Sequence, residues 1–223
     1  MTTAAVIPAA GRGDRLGAAM PKALVALGDA TLLERSVAVL APLVDLIVVA
    51  APPALLAEVR AAVPGAQVVA GGETRQQSVR NALDVLPAEV DIVLVHDAAR
   101  ALVPAEVVTR VLEAVRAGAP AVIPTVPLSD TVKEFDADGV VIRTVERASM
   151  RAVQTPQGFR RDVLERAHAA ESVDVTDDAA LVEALGIAVA TVEGSPEALK
   201  VTTPFDLAVA RALVSERSGS AHV

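Results

Sequence analysis

Continuous apolar stretches alternate along the chain with segments in which apolar residues recur at helical spacing. The predicted strands cover residues 4–7, 45–50, 66–70, 91–95 and 119–123, and the predicted helices between them cover 31–40, 53–63, 75–86 and 104–117. Strands that are apolar without alternation are buried on both faces, as in a parallel sheet. The pattern therefore predicts right-handed βαβ units and an α/β fold with a doubly wound, mostly parallel sheet.

One segment interrupts this alternation. Residues 130–135 and 140–145 flank a tetrapeptide that ends in Asp-Gly, which is typical of a β-hairpin. One face of this hairpin is too polar for a core, and an isolated hairpin is only marginally stable in water. We therefore predict a protruding arm at about 129–147 that packs on something else, such as another subunit.

The α/β pattern resumes after the hairpin. Helices are predicted at 162–170, 176–185 and 204–214, with a strand at 188–192. Residues 1–217, including the arm, are predicted to form a single domain, followed by a disordered tail at 218–223.

Composition and charge narrow the classes of function. The chain is 52% hydrophobic, carries a net charge of −8 and contains no cysteine. Such a chain can bury a sizeable core, and the absence of cysteine excludes disulfide and thiolate chemistry. Its acidity and its 1% of aromatic residues argue against nucleic-acid binding. Without a signal-like or membrane-spanning apolar run, we expect a cytoplasmic protein that does not bind membranes.

The loop after the first strand has the composition of a phosphate-binding site. Small residues at 8–11 and 13 allow the backbone to approach an anion closely, and Arg15 and Lys22 add positive charge. A P-loop is excluded because no Gly-Lys-Ser/Thr follows, and the glycine spacing differs from the dinucleotide-binding fingerprint. A glycine-rich turn after a buried strand would explain the glycines but not both cations.

Two further turns could contribute to the same site. Asp97, in the sequence Val-His-Asp-Ala-Ala-Arg at 95–100, follows a buried strand and could hold Mg²⁺, or could simply cap a helix. The Gly-Gly turn at 71–72 opens a polar helix start that could contact a base edge, or could be an ordinary capped loop. A lone histidine such as His96 is more often packed or hydrogen-bonded in the core than bound to a metal. No cluster of His, Asp and Glu has the spacing of zinc ligands.

These motifs, with weaker ones around residues 131, 147, 155, 176 and 200, resemble in their order those of the 2-C-methyl-D-erythritol 4-phosphate cytidylyltransferase family. The resemblance extends from about residue 4 to the final helix. It implies a Rossmann-like nucleotidyltransferase fold and transfer of CMP from CTP to 2-C-methyl-D-erythritol 4-phosphate, with Mg²⁺, in the non-mevalonate route to isoprenoid precursors. It also implies a homodimer in which each arm reaches the partner's site.

The resemblance also implies roles for individual residues. Charge on the triphosphate would be stabilised by Arg15 and Lys22, and the catalytic set would be completed by Arg147 and Lys200. The nucleotide would be bound by Ala9, Ala10, Gly11, Gly13, Gly72, Glu73, Ser78, Asp97 and Ala98, with Asp97 also at the metal. The polyol phosphate would be held by Thr131, Arg147, Thr155, Thr176 and Lys200.

Two positions depart from the family pattern. Ala101 stands where the family usually has Pro, which loosens a turn. Glu73 stands where Asp is common, which adds one methylene before the carboxylate that would contact the base. Two alternatives stay open from the residues: a sister cytidylyltransferase for a pentitol phosphate such as ribitol 5-phosphate, and a non-catalytic nucleotide-binding module. Retention of both Arg15 and Lys22 favours an enzyme.

Overall fold

A computed structural model describes residues 1–11, 20–170 and 175–220. The strands are β1 (Thr2–Pro8), β2 (Ala26–Leu27), β3 (Ala30–Thr31), β4 (Leu46–Ala51), β5 (Gln67–Ala70), β6 (Val90–Val95), β7 (Ala121–Pro127), β8 (Lys133–Phe135), β9 (Val141–Thr144), β10 (Arg151–Val153), β11 (Gln157–Arg160) and β12 (Ala190–Glu193). The helices are α1 (Leu32–Leu40), α2 (Leu56–Ala62), α3 (Arg75–Leu83), α4 (Ala105–Arg116), α5 (Arg161–Ala169), α6 (Asp178–Ala184) and α7 (Pro204–Ser220).

The central sheet is mixed but mostly parallel. Strands β5, β4, β1 and β6 lie side by side and run parallel. Next to β6, the antiparallel strand β11 connects to β7, whose other edge pairs in parallel with β12. The chain leaves β1 towards β4 and β5 on one side and reaches β6 on the other. This reversal opens a crevice at the carboxyl ends of β1 and β6, where ligands bind in such sheets.

Both faces of the sheet are buried, as the continuous apolar strands predicted. In β1, Ala5 and Ile7 pack into a core cluster with α1, α2 and α4. Their neighbours Ala4 and Val6 pack into a second cluster, with α3, α5 and α6. The α/β, doubly wound fold class is therefore confirmed.

Helix α1 begins as its sequence predicted. Thr31 accepts a hydrogen bond from the Glu34 backbone N–H, and the Glu34 carboxylate accepts one from the Thr31 N–H, which forms a capping box. The two reciprocal bonds satisfy donors that a helix start otherwise leaves unpaired.

The hairpin is present as β8 and β9, which pair in an antiparallel arrangement. Its turn includes Gly139 at φ 81°, a left-handed conformation that favours glycine. We call β8, β9 and the connecting turn the β-arm. Its residues are largely exposed, so in the single chain it protrudes from the sheet.

Three features differ from the sequence-based expectations. The predicted strand at 119–123 continues to Pro127, and the short strands β2, β3, β10 and β11 were not predicted. The last helix, predicted to end at Val214, extends to Ser220, so the tail predicted to be disordered from residue 218 is helical at its start; 221–223 lie outside the described residues. Among the helices that the structure describes, none is long and apolar enough to span a bilayer.

Candidate active site

A cleft of about 210 Å³ opens at the carboxyl ends of β1, β5 and β6. Segments that are far apart in the chain line it together. Among the predicted site residues, the lining contains Ala9, Ala10, Gly11, Lys22, Gly72, Glu73, Ser78, Asp97, Ala98 and Lys200. Gly13 and Arg15 lie outside the described residues.

The loop after β1 continues the pairing with β4 for one more residue before it reaches the cleft. The Ala9 N–H donates to the Ala50 carbonyl at 2.8 Å, so this amide is already used within the protein. A Cβ atom added to Gly71 would lie 2.6 Å from the Ala10 Cβ. The loop after β1 and the turn after β5 are thus in close contact, and glycine at position 71 permits it.

Ser78 holds the Gly-Gly turn from beneath. Its buried hydroxyl accepts from the Gly72 N–H at 3.0 Å and donates to the Thr74 carbonyl at 2.9 Å. Thr74 in turn caps α3 by accepting from the Gln77 N–H. Ser78 therefore shapes the turn, and Glu73 presents an exposed side chain at the cleft wall.

Asp97 lies between two cations. Its Oδ2 is 2.7 Å from Lys200 Nζ, and its Oδ1 is 3.2 Å from Arg75 Nε. Although burial alone would raise the pKa of Asp97, the charges of Arg75 and Lys200 hold it well below its usual value. The carboxylate is therefore ionised, and the surrounding charge is positive.

Hydrogen bonds fix the segment that carries Lys200. The Val201 N–H donates to the Ala99 carbonyl at 2.9 Å, and Arg100 Nη1 donates to the Ala198 carbonyl at 2.7 Å. Asp206 Oδ2 accepts from the backbone N–H and the hydroxyl of Thr202, and these bonds help to lower the Asp206 pKa to about 2. Lys200 is therefore fastened both to the turn after Asp97 and to the start of α7.

Thr155 lies directly under Asp97. Its buried hydroxyl accepts from the Asp97 N–H at 3.0 Å and lies 3.1 Å from His96 Nδ1. Burial lowers the pKa of His96 to about 4, so the ring is neutral and Nδ1 can accept the Thr155 proton. In the single chain, Thr155 thus supports the backbone of Asp97 from below.

Four of the five predicted substrate-binding residues do not line this cleft: Thr155 is buried beneath Asp97, and three others lie elsewhere. Thr131 and Arg147 lie at the base of the β-arm and border a separate surface pocket, where Arg147 donates to the Ser129 carbonyl. Thr176 is exposed just before Asp177, which caps α6. The single chain therefore leaves these three side chains apart from Asp97 and Lys200.

Arg75 is a site residue to which the sequence assigned no role. It lines the cleft, and its Nη1 also lies 2.6 Å from Asp178 Oδ2. Its position beside the Gly-Gly turn was visible in the sequence, but its two partners lie 22 and 103 residues away. Nothing in the spacing of the chain could pair them.

Described residues offer few ligands for a metal ion. No group of three His, Cys, Asp or Glu side chains within 1–11, 20–170 and 175–220 is arranged to hold one. Asp97 is the carboxylate that faces the cleft between cations. This donor set fits Mg²⁺ bound mainly by substrate phosphates and water, with one or two protein carboxylates.

Comparisons with known proteins agree with the sequence resemblance. The model of the family described as 2-C-methyl-D-erythritol 4-phosphate cytidylyltransferase matches residues 3–216. The chain is 58% identical to the protein of that name from Frankia casuarinae, over 95% of this chain and 81% of the relative. It is 54% identical to the one from Streptomyces coelicolor, over 96% of this chain and 86% of that protein.

Solved structures show the same fold over nearly the whole chain. The crystal structure of 2-C-methyl-D-erythritol 4-phosphate cytidylyltransferase from Thermus thermophilus superimposes with a TM-score of 0.81 at 40% identity, covering 96% of this chain and 98% of that one. The 4-diphosphocytidyl-2C-methyl-D-erythritol synthase from Anaerococcus prevotii gives 0.84 at 27% identity, with the same coverage. The chain therefore belongs to the 2-C-methyl-D-erythritol 4-phosphate cytidylyltransferase family and is a nucleotidyltransferase.

Proposed function

We propose that this chain transfers CMP from CTP to 2-C-methyl-D-erythritol 4-phosphate, giving 4-diphosphocytidyl-2-C-methyl-D-erythritol and pyrophosphate in isoprenoid precursor biosynthesis. The observation that carries the proposal is the cleft at the ends of β1, β5 and β6. It combines a loop of small residues with Lys22, Lys200 and the cation-flanked carboxylate of Asp97. Membership of the family supports the choice of substrates.

The reaction would be an in-line attack by a phosphate oxygen of the polyol phosphate on the α-phosphorus of CTP. A new P–O bond forms as the bond to the β-phosphate breaks, and pyrophosphate leaves. A phosphate monoester is already an anionic nucleophile, so the site needs no strong general base. Its main task is to bring two polyanions together, and positioning with electrostatic stabilisation accomplishes this.

Lys22 and Lys200 suit that task. Both line the cleft, and they would neutralise the phosphates together with Arg15, for which the role rests on its place in the sequence motif. Mg²⁺, carried in with the nucleotide, would add Lewis-acid stabilisation of the triphosphate, with Asp97 as its protein ligand. The loop at Ala10 and Gly11 would lie along the phosphates, and the turn at Gly72 and Glu73 along the cytosine.

The polyol phosphate would be held by Thr131, Arg147, Thr155, Thr176 and Lys200. Since Thr131 and Arg147 lie at the base of the β-arm and away from the cleft, they would act in the partner's site of a homodimer. The arm supports this arrangement because its large apolar side chains are exposed: Phe135 by 57%, Val140 by 62% and Ile142 by 58%. Large apolar side chains that a single chain leaves exposed can be buried in an interface between subunits. The cytoplasmic location stays a prediction.

A pyrophosphate-release assay tests the proposal. The purified chain would be given CTP, UTP or ATP, each with methylerythritol phosphate or ribitol 5-phosphate, in the presence of Mg²⁺ or excess EDTA. We expect release only with CTP, methylerythritol phosphate and Mg²⁺. Release with ribitol 5-phosphate alone would overturn the choice of acceptor, and CTP binding without release from any pair would indicate a non-catalytic module. Undiminished release in EDTA would remove Mg²⁺ from the proposal.

A further inference from the structure

A series of side-chain contacts runs from the cleft into the protein. Beyond Asp97, Arg75 Nη1 contacts Asp178 Oδ2 at 2.6 Å, and Asp178 Oδ1 lies 2.9 Å from His168 Nε2. The side chains of Asp178 and His168 are 1% and 2% exposed, whereas the Asp97 side chain is 12% exposed. This series of contacts therefore begins at the cleft and ends in the core between α5 and α6.

Asp178, near the buried end of this series of contacts, is held in place by its neighbours. Asp178 is the first residue of α6, and the neighbouring Asp177 and Ala179 are both bonded to Gln157 in β11. Although burial alone would raise the pKa of Asp178, the hydrogen bond from His168 and the charge of Arg75 hold it below its usual value. Asp178 is thus a fixed, ionised anchor for Arg75.

Arg75 joins three structural elements through one planar group. It is the first residue of α3, shortly after the Gly-Gly turn, and its guanidinium contacts Asp97 in the turn after β6 and Asp178 at the start of α6. Different nitrogens contact the two carboxylates, so the guanidinium cannot rotate without losing a contact. A lysine has a single ammonium on a flexible stem and cannot reproduce this geometry.

We propose that Arg75 is a positioning residue for the transfer reaction: anchored by Asp178, it fixes the orientation of the Asp97 carboxylate opposite Lys200. The inference rests on the proposed function, in which Asp97 acts at the triphosphate. Its consequence is that Asp178, which is buried behind the cleft wall, influences turnover. Electrostatic catalysis depends on groups that are oriented before the reaction begins, and this arrangement supplies that order at Asp97.

The test compares Arg75→Lys, Asp178→Asn and the double variant in the full-length protein. Turnover, the KM for each substrate and the melting temperature would be measured with CTP, methylerythritol phosphate and Mg²⁺. We expect each single variant to lower kcat about tenfold to hundredfold, the range for loss of a charge-assisted hydrogen bond, with the KM for methylerythritol phosphate within about twofold of wild type. The double variant should lose little more than Arg75→Lys alone, because both changes interrupt one chain of contacts.

Arg80→Lys is the matched control. Arg80 also lies on α3 and donates to the main-chain carbonyl of His168, so the variant removes a guanidinium contact in the same region without touching Asp97. It should retain wild-type kcat. If Arg75→Lys does not fold, Asp178→Asn and His168→Gln replace it, and both should lower kcat while the fold remains intact.

Two results would overturn the inference while leaving the proposed function in place. One is a kcat in Arg75→Lys and Asp178→Asn that stays within about twofold of an active wild-type enzyme. The other is a double variant whose kcat loss is the product of the single losses, as for independent sites. A wild-type chain that releases no pyrophosphate would instead count against the proposed function itself.

Discussion

Lys200 and Asp97 form an ion pair at 2.7 Å, although one precedes α7 and the other follows β6. Arg75 contacts the opposite oxygen of the same carboxylate. Asp97 is therefore outnumbered by cations in a chain whose net charge is −8. The acidic protein thus has a locally positive cleft, which suits two phosphorylated substrates.

Lys200→Gln should reduce turnover by about 10²-fold, by analogy with removal of one charge-stabilising group from an active site. The pair is partly exposed, with 44% of the Lys200 side chain accessible, so its contribution to folding stability should be below about 1 kcal/mol. Steady-state kinetics and thermal unfolding would separate the two effects.

Arg116→Gln is the control for that substitution. Arg116 is an exposed cation in the last turn of α4 and borders a different surface pocket. The variant should match wild type in both measurements. Equal losses of turnover in Arg116→Gln and Lys200→Gln would indicate a general charge effect and contradict a local role for Lys200.

Thr155→Val tests whether Thr155 supports the site or binds the acceptor. Valine has nearly the same shape, but it leaves the buried Asp97 N–H and His96 Nδ1 without the hydroxyl. We expect a loss of about 1–3 kcal/mol in the free energy of unfolding, measured in urea. If the hydroxyl also contacts the acceptor, the KM for methylerythritol phosphate will rise as well. Unchanged stability would contradict the supporting role.

Much of this fold could be predicted because its strands are continuously apolar and its helices carry local start signals. Thr31 and Glu34 identify the start of α1 within four residues of sequence. Strand β11 escaped prediction because it is short and carries Gln157, a polar residue that is buried only because α6 supplies its hydrogen-bond partners. Such a partner is a tertiary feature that no local pattern reveals.

In the candidate site, too, some contacts could be predicted from the sequence and others could not. Lys22 and Asp97 follow strands of the sheet, and the carboxyl ends of parallel strands meet at one edge, so their proximity could be predicted. Arg75 and Asp178 could not be paired, because their contact depends on the tertiary packing that brings the starts of α3 and α6 together. The roles of Thr131 and Arg147 rest on the resemblance, since a single chain keeps them away from the cleft.

Gly71→Ala should disturb the nucleotide site. The added methyl group would meet Ala10 at 2.6 Å and Ser78 Oγ at 3.1 Å, which pushes the loop after β1 away from the Gly-Gly turn. We expect the KM for CTP to rise by about tenfold, as for a lost charge-assisted contact. Gly65→Ala is the control, because its new methyl group meets nothing within 4 Å. A KM for CTP that is equal in the two variants would contradict the predicted displacement.

Stability should fall in acid because His96 is buried in its neutral form. Its pKa of about 4 lies below the unfolded value of about 6.5. The unfolded chain therefore binds the proton first, so this contribution is complete above about pH 6.5 and is lost as the pH falls towards 4. The loss is on the order of 3 kcal/mol.

Urea unfolding across that pH range checks the sign and size of the effect. His96→Asn retains an acceptor near the Nδ1 position and cannot titrate, so its stability should depend less steeply on pH than that of wild type. Parallel pH profiles for the two proteins would show that other groups cause the acid loss and would contradict the prediction for His96.

Exchange of the β-arm between subunits predicts complementation between inactive chains. Mixing Lys22→Ala with Arg147→Ala should restore about one quarter of wild-type activity, since half of randomly mixed dimers are heterodimers and each would contain one intact site. The control mixes wild type with a chain carrying both substitutions. If Arg147 acts in the partner's site, those heterodimers contain no intact site, whereas an arm that serves its own chain leaves one intact site in each. Activity in this control that exceeds the share from wild-type homodimers, without recovery in the first mixture, would rule out the exchange.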